Sequence, residues 1–219
     1  MRARFDEQME QLHVELIKMG SLCEEAISLS VEALQKSDDE GEKVKEIREK
    51  VAVLEKKIDS KEYEIETICY RLLLQQQPVA TDLRNISAAL KMISDMERIG
   101  DQASDIADLT NKGVRGYSQS MIHIYDMAKA TVKMVTGSVD AFVKNDLELA
   151  HYVMRSDDEV DLLFEKVKKE IMELIVDKTI DAKESLNLLM AAKYFERIGD
   201  HAVNIAEWVE YSITGERKK

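Results

Sequence analysis

Proline and glycine are scarce in this chain, with one proline and eight glycines in 219 residues. All-β folds need turn residues every ~8–12 positions, so that class is excluded on punctuation alone. No apolar run approaches the ~18 residues that a membrane helix needs. A basic surplus is lacking too. The 31 lysines and arginines stand against 43 aspartates and glutamates, a formal net charge of −12. Non-specific binding to nucleic acid requires a basic footprint, so no nucleic-acid partner is expected. The basic tail Arg217, Lys218, Lys219 reads as a frayed helix end. Met1 to Met9 carries Arg2, Arg4, Asp6 and Glu7 and so has no apolar signal-peptide core. The two cysteines, Cys23 and Cys69, have no CxxC spacing and sit among apolar neighbours, the pattern of buried free thiols in a reducing compartment. The expectation is a cytoplasmic protein.

What the chain does have is helical periodicity almost throughout, on a composition 45% hydrophobic and 34% charged that suits a globular domain. Leu12, Leu16, Met19, Cys23, Ala26 and Ser30 trace one face of a first helix. Ser37 and Glu40 form a capping-box pattern that opens a second, with Val44, Val51, Leu54, Ile58, Ile65, Ile68 and Leu72 on its apolar face. That helix must end before Pro78. A third opens at Thr81-Asp82 and is stopped by Gly113 and Gly116. A fourth covers about Gln119 to Lys144. Asn145 and Glu148 repeat the capping pattern for a fifth, which extends to about Val176. Asp181 and Glu184 open a sixth that fades at Gly215. Short connections make sequential helices antiparallel, so the expected architecture is an all-α elongated bundle of six long helices.

The second half repeats the first. Asp82–Ala107 set against Asp181–Ala206, at an offset of 181 − 82 = 99, gives ten identities in 26 positions. Ser30–Asp38 resembles Ser138–Asp146 at an offset of 138 − 30 = 108, so connections differ in length between the halves. The reading is two tandem three-helix units, residues 1–115 and 116–219.

The strongest repeated string is Glu97-Arg98-Ile99-Gly100-Asp101, which returns as Glu196-Arg197-Ile198-Gly199-Asp200. It sets two carboxylates four residues apart on one helix face. Asp105 and Asp108 extend that face in the first copy, Asn204 and Glu207 in the second. Helix two offers Glu55 and Asp59 at the same spacing, and helix five offers Asp157 and Asp161. A chain this acidic holds roughly eight such pairs by chance, and a solvated acidic face explains any single one. Like charges at this spacing nevertheless cost a few tenths of a kcal/mol per pair, and both halves keep them. Gly100 and Gly199 also stand mid-helix, where glycine costs about 1 kcal/mol relative to alanine. Only a close approach or a bound ion would compensate. A cation here would have oxygen ligands alone, which favours Mg²⁺, Mn²⁺, Ca²⁺ or ferric iron over a thiolate–imidazole zinc site.

The duplicated pattern, and above all Asp95-Met96-Glu97-Arg98-Ile99-Gly100-Asp101-Gln102-Ala103-Ser104-Asp105-Ile106-Ala107, resembles the signature helix of the PhoU family. The resemblance extends over the whole chain, including its length and the opening Phe5-Asp6-Glu7-Gln8-Met9. It implies two three-helix bundles side by side and a cytoplasmic accessory protein of the phosphate-specific ABC transporter. It further implies a negative regulator of the phosphate-starvation response, linking the transporter's ATPase subunit to a sensor histidine kinase, often as a homodimer. Several family members hold multinuclear metal clusters, so iron, or Mg, Mn or Zn, is the implied cofactor. Carried over by motif, one cluster would use Glu55, Asp59, Glu97 and Asp101, the other Asp157, Asp161, Glu196 and Asp200. Arg98, Arg197, Asp105 and Asn204 would stand behind these carboxylates, though an i to i+3 ion pair with Asp101 or Asp200 explains each arginine equally well. Asn204 in place of Asp105 sets the second cluster apart from the first.

Two other readings compete. Diiron-carboxylate oxidases are helical bundles carrying Glu-x-x-His on two helices, and Glu10–His13 and Glu148–His151 have that spacing. Both lie near helix starts and do not correspond under the repeat, so they read as surface histidines. His123 and His201 show no cluster partners, and His201 reads as a surface residue following Asp200. The last reading is a metal-free helical scaffold. There is no glycine–lysine phosphate loop, no G-x-S-x-G and no dinucleotide fingerprint, and no catalytic residue is assigned.

Overall fold

In a computed structural model of the chain, the structure describes residues 2–36, 41–76, 78–112 and 122–216. The expected features at Ser37 and Glu40, at Gly113, Gly116 and Gln119, at the 115/116 boundary and at Arg217–Lys219 lie outside the described residues. Six long helices form: α1 (Arg2–Lys36), α2 (Gly41–Gln76), α3 (Ala80–Leu109), α4 (Ile122–Lys144), α5 (Leu147–Val176) and α6 (Ala182–Thr214). A single 3-10 turn, Thr110–Lys112, follows α3.

The apolar faces read from the sequence are the core. Leu12, Leu16, Met19, Cys23 and Ala26 of α1, Ile58, Ile65 and Leu72 of α2, and Met92, Met96, Ile99, Ala103 and Ile106 of α3 are fully buried. Cys23 and Cys69 are free and buried, and burial pushes each thiol up to about 12. The methionines at 19, 92, 96, 127 and 134 fill the interior, as a flexible thioether suits.

Helix ends follow local chemistry, with two shifts from expectation. Asp181 caps α6 by accepting a hydrogen bond from the Glu184 amide at 2.8 Å. Asn145 does not cap α5. It takes a left-handed φ of 51° and closes α4, while Asp146 behind it accepts from the Leu149 amide at 3.0 Å. Asparagine tolerates the left-handed region better than other side chains, which suits it to a helix exit. Helix α3 begins at Ala80 with Val79 as its cap and no side-chain bond, so Asp82 lies inside the first turn and not ahead of it. Pro78 accounts for the early start, since its fixed φ and missing N–H separate α2 from α3 within three residues.

Helices α1, α2 and α3 pack as one three-helix bundle and α4, α5 and α6 as another. The bundles join through α3 against α6, the most extensive helix pair in the molecule, and through α1 against α4. Both joining pairs run antiparallel. Asp95 meets His201 while Arg84 meets Ser212, and His13 meets Phe142 while Gly20 meets Val139.

Candidate functional site

The two glycines of the repeated string have a steric explanation, and it differs between the halves. A Cβ on Gly100 would lie 2.9 Å from Ile58 Cδ1, so the missing side chain lets α2 pack onto α3. A Cβ on Gly199 would lie 3.3 Å from Asp157 Oδ1 and 3.5 Å from Val160 Cγ1, so there the glycine admits a carboxylate oxygen of α5. Close approach offsets the helix-propensity cost in both places.

These approaches bring the acidic faces together. In the first half the Glu55 carboxyl is pushed above the usual range by burial and then by Asp59 and Asp101. Glu97 is raised by burial and by Asp101, with Glu62 and Asp59 adding to it from α2. In the second half Asp157 is pushed up to about 6 by burial, then by Asp161, Asp200 and Glu196. Asp200 is raised by burial and by Glu196 and Asp161. Each patch thus gathers carboxylates from two helices, and each resists full ionisation because like charges share a partly desolvated place.

The patches are not closed coordination shells. Among the described residues, no group of three or more His, Cys, Asp or Glu side chains is arranged to hold a metal ion. Neighbouring cations engage some of the carboxylates. Arg98 bonds Asp101 at 3.1 Å and approaches Glu97 at 3.4 Å, whereas in the second half Lys193, and not Arg197, grips Glu196 at 2.5 Å. The donor set fits a hard cation in kind, being oxygen throughout. Asp157 Oδ1 is buried without a hydrogen-bond partner, which leaves that oxygen to be satisfied by a proton or an ion.

Asp105 and Asn204 are engaged elsewhere than beside the patches. Asp105 hydrogen-bonds Tyr194 of α6, and Asn204 donates to Asp95 Oδ1 of α3 at 3.1 Å. His201 is not a free surface residue, since its Nδ1 lies 2.9 Å from the same Asp95 oxygen. At the offset of 99, Asp95 corresponds to Tyr194 and Asn204 to Asp105. The α3–α6 seam is therefore bracketed twice by equivalent positions with different chemistry.

The sequence left other partners unnamed. His123 faces Glu170 at 2.5 Å, His151 faces Glu210 at 3.1 Å, and His13 packs edge-on against Phe142. Glu62, which accepts from Ser94 at 3.1 Å, belongs with the first acidic patch. In the sequence it pairs at i,i+4 with Glu66 and reads as one of the chance acid pairs, so its place three residues past Asp59 beside the patch shows only in the fold.

A family model described as "PhoU domain" matches residues 16–110 and again residues 124–209. This chain belongs to the PhoU family. It is 36% identical over 219 residues to the phosphate-specific transport system accessory protein PhoU homolog of Clostridium acetobutylicum, covering 99% of this chain and 97% of that one. A homolog bearing the same description in Pseudomonas aeruginosa is 33% identical, covering 97% of this chain and 86% of its own. The crystal structure of PhoU from Pseudomonas aeruginosa superposes with a TM-score of 0.84 at 32% identity, covering 97% of this chain and all of that one. The phosphate transport system regulatory protein PhoU from Streptococcus pneumoniae superposes at 0.86 with 26% identity, covering 98% and 99%. The two matched segments coincide with the two bundles, so the PhoU repeat is the unit of this fold. Among the described residues no helix is long and apolar enough to cross a membrane.

Proposed function

We propose that this chain is a non-catalytic regulator of phosphate uptake and of the phosphate-starvation response. In this reading it is cytoplasmic and links the phosphate ABC transporter's ATPase subunit to a sensor histidine kinase as a negative regulator, working as a homodimer. The observation that carries the reading is the doubled PhoU match, supported by relatives named as accessory proteins of phosphate-specific transport along nearly the whole chain. The long helices supply extended surfaces suited to holding two partners. A tagged pull-down from native cells grown in high and in low phosphate tests it. Recovery of the ATPase subunit or the kinase in high phosphate is expected. Recovery of neither would retire the adaptor role.

The carboxylate patches complete the proposal as cation sites. Glu55, Asp59, Glu97 and Asp101 would hold one ion or cluster, and Asp157, Asp161, Glu196 and Asp200 the other. A bound cation would relieve the like-charge crowding and clamp α2 to α3 and α5 to α6. What supports this is the shared carboxylate environment and the orphaned Asp157 oxygen. Metal analysis of protein purified without chelator checks it. The expected result is bound iron, manganese, magnesium or zinc that disappears in the Glu97→Ala, Glu196→Ala double variant. A metal-free wild type would leave a helical scaffold. Metal lost on His13→Ala or His151→Ala instead, with oxygen consumption, would favour the diiron oxidase.

A further inference from the structure

The α1–α4 seam is closed at one end and open at the other. Where it is closed, a Cβ on Gly20 would sit 3.3 Å from Val139 Cγ2, so glycine lets the two helices touch. At the offset of 108 the equivalent pair is Ala128 (20 + 108) and Val31 (139 − 108). Alanine supplies the methyl group that glycine lacks, and at this end the seam holds a groove of about 520 Å³. Ile27, Val31, Ala128 and Val132 give it an apolar lining, one helical turn from each of the two helices. The Tyr125 hydroxyl at its edge is buried without a partner.

Charge is also distributed unevenly. Lys129 and Lys133, one turn apart on α4, stand exposed at the groove and form no ion pair with any described carboxylate. Their equivalents on α1 are Ser21 and Glu25, so the closed end lacks this pair of cations, which stands out on a chain of net charge −12. Both lysines also border the neighbouring α4–α5 groove, where Asp126 and Glu159 stand, whereas no described carboxylate lines the α1–α4 groove. Two free cations beside an apolar trough select an apolar face flanked by carboxylates. The trough opens along its length, and such a shape leaves a small molecule mostly in water, whereas small-ligand sites bury most of their occupant. An amphipathic helix fits, laying its i, i+3/i+4, i+7 anchors between α1 and α4.

We propose that the α1–α4 groove docks an acidic amphipathic helix of a partner protein. This rests on the adaptor reading and gives one of its surfaces a chemistry.

A photo-crosslinking residue placed at Val31 or Val132 in the full chain, expressed in native cells, tests this, with Lys57 on α2 as the control position. The expected product joins both groove positions, but not Lys57, to one partner segment with helically spaced apolar residues and flanking Asp or Glu. A synthetic peptide of that segment then binds the purified chain at least tenfold more weakly when Lys129→Glu and Lys133→Glu are combined. Both lysines are exposed, so the variant keeps its helical circular dichroism, and Lys129→Gln with Lys133→Gln gives a milder check in the same direction. Crosslinks to lipid, to a second copy of this chain or to a non-acidic segment overturn the proposal, as does peptide binding indifferent to the lysines. Absence of any groove crosslink in cells where the pull-down still recovers the transporter subunit or the kinase overturns the groove alone. Loss of both results removes the adaptor reading with it.

Discussion

The two halves share a fold and a signature string but are held by different polar chemistry. In the first bundle the ion pairs that cross between helices use permanent cations. Lys61 of α2 bonds Glu15 of α1 at 2.6 Å, and Arg48 of α2 bonds Asn111 and approaches Asp108 at 3.7 Å. In the second, histidines meet carboxylates, as in His123–Glu170 and His151–Glu210. Position 111 becomes 210 under the offset of 99, so Asn111 receiving arginine is replaced by Glu210 receiving histidine. Duplication kept the packing, which every helix turn reinforces, and let polar pairs drift, because each contributes only about 1 kcal/mol. The same holds at the repeated glycine, which admits Ile58 in one half and Asp157 in the other.

The largest test of this comparison lies in the core. Phe195 and Met96 occupy equivalent, fully buried positions (195 − 99 = 96). Phe195→Ala should cost about 3–5 kcal/mol and Met96→Ala somewhat less, read by urea unfolding. Equal costs would mean that the extra ring volume adds nothing to the second half. Next come the glycines. Gly100→Ala forces a methyl against Ile58, an overpacking of about 1–3 kcal/mol that the propensity gain of about 1 kcal/mol only partly offsets. Gly199→Ala should be close to neutral, since a carboxylate can turn aside. Thermal melts of the two variants decide whether the glycines serve different neighbours.

The seam brackets rank third. Asp95→Ala leaves His201 and Asn204 without their shared acceptor and should cost about 1–2 kcal/mol, while Tyr194→Phe removes one hydrogen bond, about 0.5–1.5 kcal/mol. A larger loss for Tyr194→Phe would invert the order of the two brackets.

The smallest effect is a stabilisation. Asp157 is raised in the folded chain, so its charge opposes folding above about pH 6. The native state takes up a proton before the unfolded chain does, and stability from this group rises as pH falls from above 6 towards about 4. In chelator-containing buffer, Asp157→Asn should raise Tm by about 2–4 °C at pH 7, about 1 kcal/mol after discounting for solvent screening. The gain should fade as pH falls from about 6 to about 4 and be absent below that. Melts from pH 4 to 8 check it, and an unchanged or lowered Tm at pH 7 would mean that the second patch carries no charge strain.

Much of this was legible without coordinates. Faces such as Leu12–Leu16–Met19 and Met92–Met96–Ile99 repeat every three or four residues, and burial follows that period directly. The acid pairs were legible for the same reason. The spacing within one helix also shows that Glu97 and Asp101 share a side. It does not show that Lys193, and not Arg197, takes Glu196, or that Asp105 and Asn204 turn to the other bundle. Asn145 was misplaced by one residue because Asn145 and Asp146 are both competent caps, and only the closing turn of α4 chose between them.

The sequence by itself determined the helices, the duplication, the buried faces and the PhoU signature, because each is a periodicity or a string carried within a short stretch of chain. The tertiary structure alone decided what lies between elements. It set the antiparallel α3–α6 seam, the His201–Asp95–Asn204 bracket, the reason each signature glycine is needed, and the groove where α1 and α4 part. Those contacts join residues on different helices, from about forty to more than a hundred positions apart, and no local pattern encodes the angle at which two helices meet.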